Sequence, residues 1–255
     1  MRSEKNELKP EDRLIVALDV ESNEDATRLV GSLREYVNIF KIGHQLFTVE
    51  GPRVIEMIHK KGCRVFLDLK YHDIPNTVAK AGAVATRMGV FMFNLHTLGG
   101  TEMMQRCKDA VVETSLKLGT QRPLVTGVTI LTSIEQETLN ELGMPLSVKE
   151  QVKHLSAMAY RAGLDGVVAS PQEVRMIKDY LGEGFLVVTP GIRTGNLQLK
   201  RGNAVDDQKR VMSVRDAIDA GADYIVVGRP IIEADDPVEA TKKILKEILH
   251  PSSSF

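Results

Sequence analysis

The sequence has little cysteine, no long apolar run and almost no net charge, and each absence removes a class of function. Only Cys63 and Cys107 are present, too far apart for a Cys-x-x-Cys metal or redox motif, so reduced, buried thiols are expected. No apolar stretch approaches the roughly 18 residues of a membrane span. Met1 to Glu11 is polar and charged, without the apolar core of a signal peptide. A cytoplasmic protein with no membrane partner is therefore expected. With 33 basic and 34 acidic residues the formal net charge is -1, which exerts no global pull on nucleic acid, so any anion site must be local. The histidines, at 44, 59, 72, 96, 154 and 250, show no HxH or HExxH spacing, which argues against zinc.

What is present is a repeating pattern. Leu14-Ile15-Val16-Ala17-Leu18-Asp19 is an apolar run closed by an acid, and Ser22 and Asn23 are cap candidates for a helix over about Glu24 to Tyr36. The same strand-then-helix unit recurs with strands near 39–43, 64–70, 90–96, 124–131, 166–170, 185–189 and 224–229. Helices are expected between them, and a last one runs from about Asp236 to Leu249. Eight such units in 255 residues indicate a (β/α)8 TIM barrel. An open doubly wound sheet uses the same local pattern, but it usually has fewer strands, and no Gly-x-Gly-x-x-Gly follows the first run. The expected organisation is a single barrel domain over 1–255, with a short polar extension over about 1–11 and a loose tail over about 251–255.

In such a barrel the residues ending each strand face the catalytic mouth. Side chains two apart on a strand share a face, so Ile15, Ala17 and Asp19 point one way, as do Ile39 and Lys41, and Phe66, Asp68 and Lys70. Three neighbouring strands thus aim Asp19, Lys41, Asp68 and Lys70 into one mouth, with Asp73 just beyond the third strand. A structural ion-pair network is the plain alternative. Four inward charges of alternating sign at the functional end favour a site. The aspartates keep both lysines protonated, which suits Lys70 as a proton donor better than as a Schiff-base nucleophile. Asn94 and His96 share the inward face of the fourth strand, where they are expected to support the site by hydrogen bonding.

Across the mouth, Thr189-Pro190-Gly191-Ile192-Arg193 and Val227-Gly228-Arg229-Pro230 end the seventh and eighth strands, where barrels commonly bind phosphate. Gly228 lets an anion approach the backbone, and Arg229 offers a planar two-point donor. The long polar connection from Thr194 to Arg210 is expected to be a lid over the ligand, with Gln208 reaching it.

These residues carry a resemblance to the orotidine 5'-phosphate decarboxylase family that spans Asp19 to Arg229. The motifs are DLKYHDIPNT at 68–77, FKIGH at 40–44, TPGIR at 189–193, DQKR at 207–210 and VGRP at 227–230. The resemblance implies that Lys70 protonates C6 of the carbanion left when carbon dioxide departs. Asp68 would then lie beside the substrate carboxylate, with Lys41 and Asp73 completing the charged array. It implies a homodimer in which Asp73 and Thr77 reach the neighbouring subunit's site. Asp19 would bind the ribose, Thr132 the pyrimidine edge, and Pro190, Arg193, Gln208, Gly228 and Arg229 the phosphate region. Neither metal nor organic cofactor is implied. The related 3-keto-L-gulonate 6-phosphate decarboxylases share the D-x-K-x-x-D motif but use magnesium, held by a glutamate where this chain has Lys41. A silent barrel that senses a phosphorylated nucleotide is the remaining alternative.

Overall fold

A computed structural model, which describes residues 8–193 (the last as backbone only), 210 and 212–249, arranges eight parallel strands in chain order around a closed barrel. They are β1 Leu14–Ala17, β2 Ile39–Ile42, β3 Arg64–Tyr71, β4 Met92–His96, β5 Leu124–Val128, β6 Gly166–Val168, β7 Leu186–Thr189 and β8 Tyr224–Val227. β8 closes on β1 with Leu14 opposite Ile225. Helices return the chain between strands, which makes this a (β/α)8 barrel.

Strand alternation separates two apolar layers. Ile15, Ala17, Ile39, Phe66, Met92, Val188, Tyr224 and Val226 fill the barrel interior. Their chain neighbours, among them Val16, Phe40, Val65, Leu67 and Phe93, pack outward in the larger core shared with the helices. The helices begin where local chemistry stops the strand. Ser22 Oγ accepts the Asp25 N–H at 3.1 Å and caps Asn23–Leu33. Pro75 opens Pro75–Arg87, and a Ser147–Glu150 capping box opens Val148–Arg161.

The strand N-termini carry charged staples. Asp165, just before β6, accepts the Val125 N–H of β5 at 2.8 Å and pairs with Lys108 at 2.6 Å and Arg122 at 2.7 Å. Asp223, just before β8, repeats the device on Val187 of β7 at 2.7 Å and on Lys178 at 2.6 Å. Each carboxylate thus ties two neighbouring strands and a helix side chain at the N-terminal end of the barrel strands.

Several boundaries differ from the sequence pattern. Pro10 and Glu11 lie in a helical turn, Pro10–Arg13, whose Arg13 donates to the Ala222 carbonyl at 2.6 Å. Residues His44–Glu50 form a helix of their own. β5 ends at Val128, although the Thr129 N–H still bonds to the Val168 carbonyl of β6 at 3.2 Å and its hydroxyl donates to the same oxygen at 3.0 Å. β8 stops at Val227, and Arg229 begins a short helix, Arg229–Ile232. Two short strands, Ile192–Arg193 and Met212–Ser213, pair in parallel on either side of 194–209. The expected lid, apart from Arg210, lies outside the described residues, as do Gln208 and the Arg193 side chain.

Candidate active site

Asp68 stands at the centre of a charged array at the C-terminal end of the barrel. Its Oδ1 lies 2.7 Å from Lys70 Nζ and its Oδ2 lies 3.3 Å from Lys41 Nζ. Lys41 reaches on to Asp19 Oδ1 at 3.2 Å. The structure therefore brings Asp19, just beyond β1, together with Lys41 of β2 and Asp68 and Lys70 of β3. Glycines make room for them. A Cβ on Gly43 would meet Lys41 Nζ at 3.1 Å, and one on Gly228 would meet Asp19 Oδ2 at 3.2 Å.

Asp68 and Lys41 hold each other ionised. Burial alone would push the Asp68 carboxyl up, but Lys41 and Lys70, with hydrogen bonds from Lys70 and Asn94, outweigh it and hold Asp68 below the ordinary aspartate range. Burial likewise opposes the Lys41 ammonium, yet Asp68 and Asp19 hold it above the ordinary lysine range. The lysine and aspartate are only 11% and 13% exposed at their side chains, so their attraction is weakly screened.

Lys70 has a left-handed backbone, with φ of 47°. The pairing of β3 with β4 shifts register between Leu67 and Tyr71, so this turn belongs to a local irregularity at the strand end. Asn94 of β4, fully buried, spans the irregularity. Its Oδ1 accepts the Lys70 N–H at 2.8 Å, and its Nδ2 donates to Asp68 Oδ1 at 2.7 Å. Further along the same edge, the His72 and His96 rings stack with centroids 5.3 Å apart. Burial, His72 and Lys70 push the His96 imidazole down to about 4, so it is neutral at ordinary pH.

Asp73 and Thr77 do not join the array within one chain. Both are exposed, and the Asp73 carboxylate accepts the Ile74 N–H at 2.6 Å. Ile74 beside it is 67% exposed. Lys70, His72, Asp73 and Thr77 line one hollow of about 300 Å³ at the end of β3.

On the other side of the mouth, Thr189 donates to the Ala169 carbonyl at 2.7 Å, and half-buried Pro190 follows it. Gly228 precedes the Arg229–Ile232 turn and accepts the Ile231 N–H at 2.8 Å. Arg229 is half-buried, and Thr132 sits half-buried in the turn after β5. Sequence reasoning missed Arg210 as an anchor. It pairs with Glu173 at 2.5 Å and donates to the Leu131 and Ile130 carbonyls at 3.0 and 3.2 Å, while its own carbonyl accepts from Ser170. It thereby joins the loops after β5 and β6, beside Thr132. Only its position in the DQKR motif hinted at importance.

Comparison with known proteins follows the same lines. Residues 12–244 match the family described as "Orotidine 5'-phosphate decarboxylase / HUMPS family". The chain is 51% identical over 239 residues to an orotidine 5'-phosphate decarboxylase of Geotalea daltonii, covering 93% of this chain and 96% of that one. A relative of the same name from Syntrophotalea carbinolica is 50% identical over 236 residues, covering 92% and 94%. Among solved structures, orotidine 5'-phosphate decarboxylase from Lactobacillus acidophilus superposes with a TM-score of 0.80 at 36% identity, covering 93% of this chain and 99% of that chain. An uncharacterized conserved protein from Geobacillus kaustophilus does so with a TM-score of 0.79 at 34% identity, covering 92% and 99%.

Proposed function

The chain belongs to the orotidine 5'-phosphate decarboxylase / HUMPS family, and from that premise we propose that it converts orotidine 5'-monophosphate to UMP, the last step of de novo pyrimidine nucleotide biosynthesis. It is thus a carboxy-lyase. The observation that carries the reading is the Asp68 carboxylate held between Lys41 and Lys70, at 3.3 and 2.7 Å.

The reaction breaks the bond between C6 and its carboxylate, releases carbon dioxide and leaves an electron pair on C6. Lys70 then gives its Nζ proton to C6. No conjugated electron sink is available to that pair, so the site must supply a barrier reduction near the upper part of the ~8–23 kcal/mol range typical of enzymes. Fixed positive charge beside the developing carbanion contributes, because the array is already oriented before reaction. Asp68 next to the substrate carboxylate adds repulsion that is relieved as carbon dioxide leaves. Phosphate binding by Gly228, Arg229, Arg193 and Gln208, with Pro190 beside them, supplies remote binding energy that offsets this juxtaposition. Asp19 takes the ribose hydroxyls and Thr132 the pyrimidine edge.

In this proposal a homodimer completes the site, with Asp73 and Thr77 reaching the neighbouring subunit. Their exposure and the adjacent uncovered Ile74 support that assignment. The magnesium-dependent reading of the keto-sugar phosphate decarboxylases is disfavoured by Lys41, whose ammonium sits where a cation would have to approach Asp68.

The test is incubation with orotidine 5'-monophosphate in EDTA, following the pyrimidine absorbance. Loss of the orotate signal with formation of UMP is expected. An unchanged spectrum contradicts the proposal, and magnesium-dependent release of carbon dioxide from the keto-sugar phosphate would replace it.

A further inference from the structure

We infer that Asn94 is a positioning residue that clamps the Asp68 side chain to the Lys70 backbone and keeps Asp68 in place when Lys70 turns to the substrate. The inference rests on the proposed decarboxylation for its kinetic consequence, while the clamp itself is a property of the array.

Asn94 lies within β4, paired with Thr126 of β5, and its side chain is fully buried in the barrel. Both ends of its amide are used on functional groups. A backbone N–H can only donate, so the atom facing Lys70 N at 2.8 Å is the carbonyl Oδ1. The ionised Asp68 can only accept, so the atom facing it at 2.7 Å is Nδ2. No flip of the amide satisfies both neighbours. An ionised carboxylate at this position lacks the donor, and an aliphatic side chain lacks both groups.

The two bonds act on different features of the site. The first holds Lys70 in a left-handed conformation, φ 47°, that a residue with a long side chain adopts only when its surroundings fix it. The second shares Asp68 Oδ1 with Lys70 Nζ, both donors lying 2.7 Å away. When Lys70 delivers its proton to C6 it becomes a neutral amine and leaves Oδ1. The Asn94 donor then remains on Oδ1 and Lys41 on Oδ2, so Asp68 stays ionised and oriented. Because the amide is neutral, it supports Asp68 without adding a cation that would compete with Lys70.

Two variants test this, Asn94→Ala and the near-isosteric Asn94→Asp, which keeps the shape if the alanine variant does not fold. The Asp68 carboxyl is followed by carbon-13 NMR titration in the free protein, and kcat and KM are measured across pH with orotidine 5'-monophosphate. In Asn94→Ala, Asp68 should titrate at higher pH than in wild type, kcat should fall about 10- to 100-fold, and KM should change little. The deficit should widen as pH falls. In Asn94→Asp it should narrow as pH falls, because the introduced carboxyl becomes a donor once protonated. Folded variants with a wild-type Asp68 titration and wild-type kcat overturn the inference. If wild type shows no turnover while Asn94→Ala still shifts Asp68, the clamp stands and the functional reading falls.

Discussion

Lys70 Nζ touches Asp68 Oδ1 at 2.7 Å, although the strand pattern alone would set the two Cα atoms roughly 7 Å apart with parallel side chains. The left-handed turn at Lys70 accompanies that contact, and it makes the Lys70 ammonium and the Asp68 carboxylate one electrostatic unit. Asp68 is held ionised by this cation and by Lys41, not by solvent.

The pH behaviour of Asp68 follows from that arrangement. Burial favours its neutral form and the two lysines reverse the balance, so in wild type its carboxyl titrates below the ordinary aspartate range. Lys41→Met removes one of the opposing charges and should move the titration upward, with kcat lowered about 100- to 1,000-fold. Carbon-13 NMR of labelled aspartate checks the first and steady-state kinetics the second. An unmoved titration would mean that Lys41 does not govern Asp68.

At the N-terminal end of the strands, Asp165 should matter for stability and not for turnover. Burial opposes its charge, but bonds from Arg122, Lys108 and the Val125 N–H hold the carboxyl below the ordinary range. Breaking a buried pair of this kind costs about 3 to 5 kcal/mol, which urea unfolding of Asp165→Ala should register. A group with a depressed folded-state pKa stabilises above its unfolded-state pKa and loses that contribution as pH falls through the folded value. The difference between wild type and variant should therefore be steady near neutrality and shrink in acid. A gap that grows in acid would contradict the assignment.

The proposed sharing of sites between subunits has its own signature. Lys70→Ala and Asp73→Ala homodimers should each be inactive. Once mixed and exchanged, hybrids should regain activity, because one of their two sites draws an intact Lys70 from one chain and an intact Asp73 from the other. Exchange confirmed by mass, with no recovered activity, would assign Asp73 to its own chain's site.

Much of this was legible in the sequence because strands alternate with period two. Ile15 and Ala17, Ile39 and Phe66 fill the interior as their spacing implies, and the same rule directs Lys41 and Asp68 into the mouth. Strand order then makes Asp19, Lys41 and Asp68 neighbours. Contacts set by departures from regularity were not legible. The bond from Lys70 N to Asn94 depends on the register shift after Leu67, which no local pattern encodes. Arg210 and Glu173 meet across 37 residues, joining loops whose mutual placement exists only in the closed barrel.

The most direct measurement compares wild type with Lys70→Ala on orotidine 5'-monophosphate in EDTA, with UMP binding measured in both. Wild type should consume the orotate absorbance and form UMP, whereas Lys70→Ala should bind UMP yet lose turnover by about 100- to 10,000-fold or more. Comparable turnover in the two proteins, or none in wild type, would contradict the assignment of Lys70 as the proton donor of a decarboxylase.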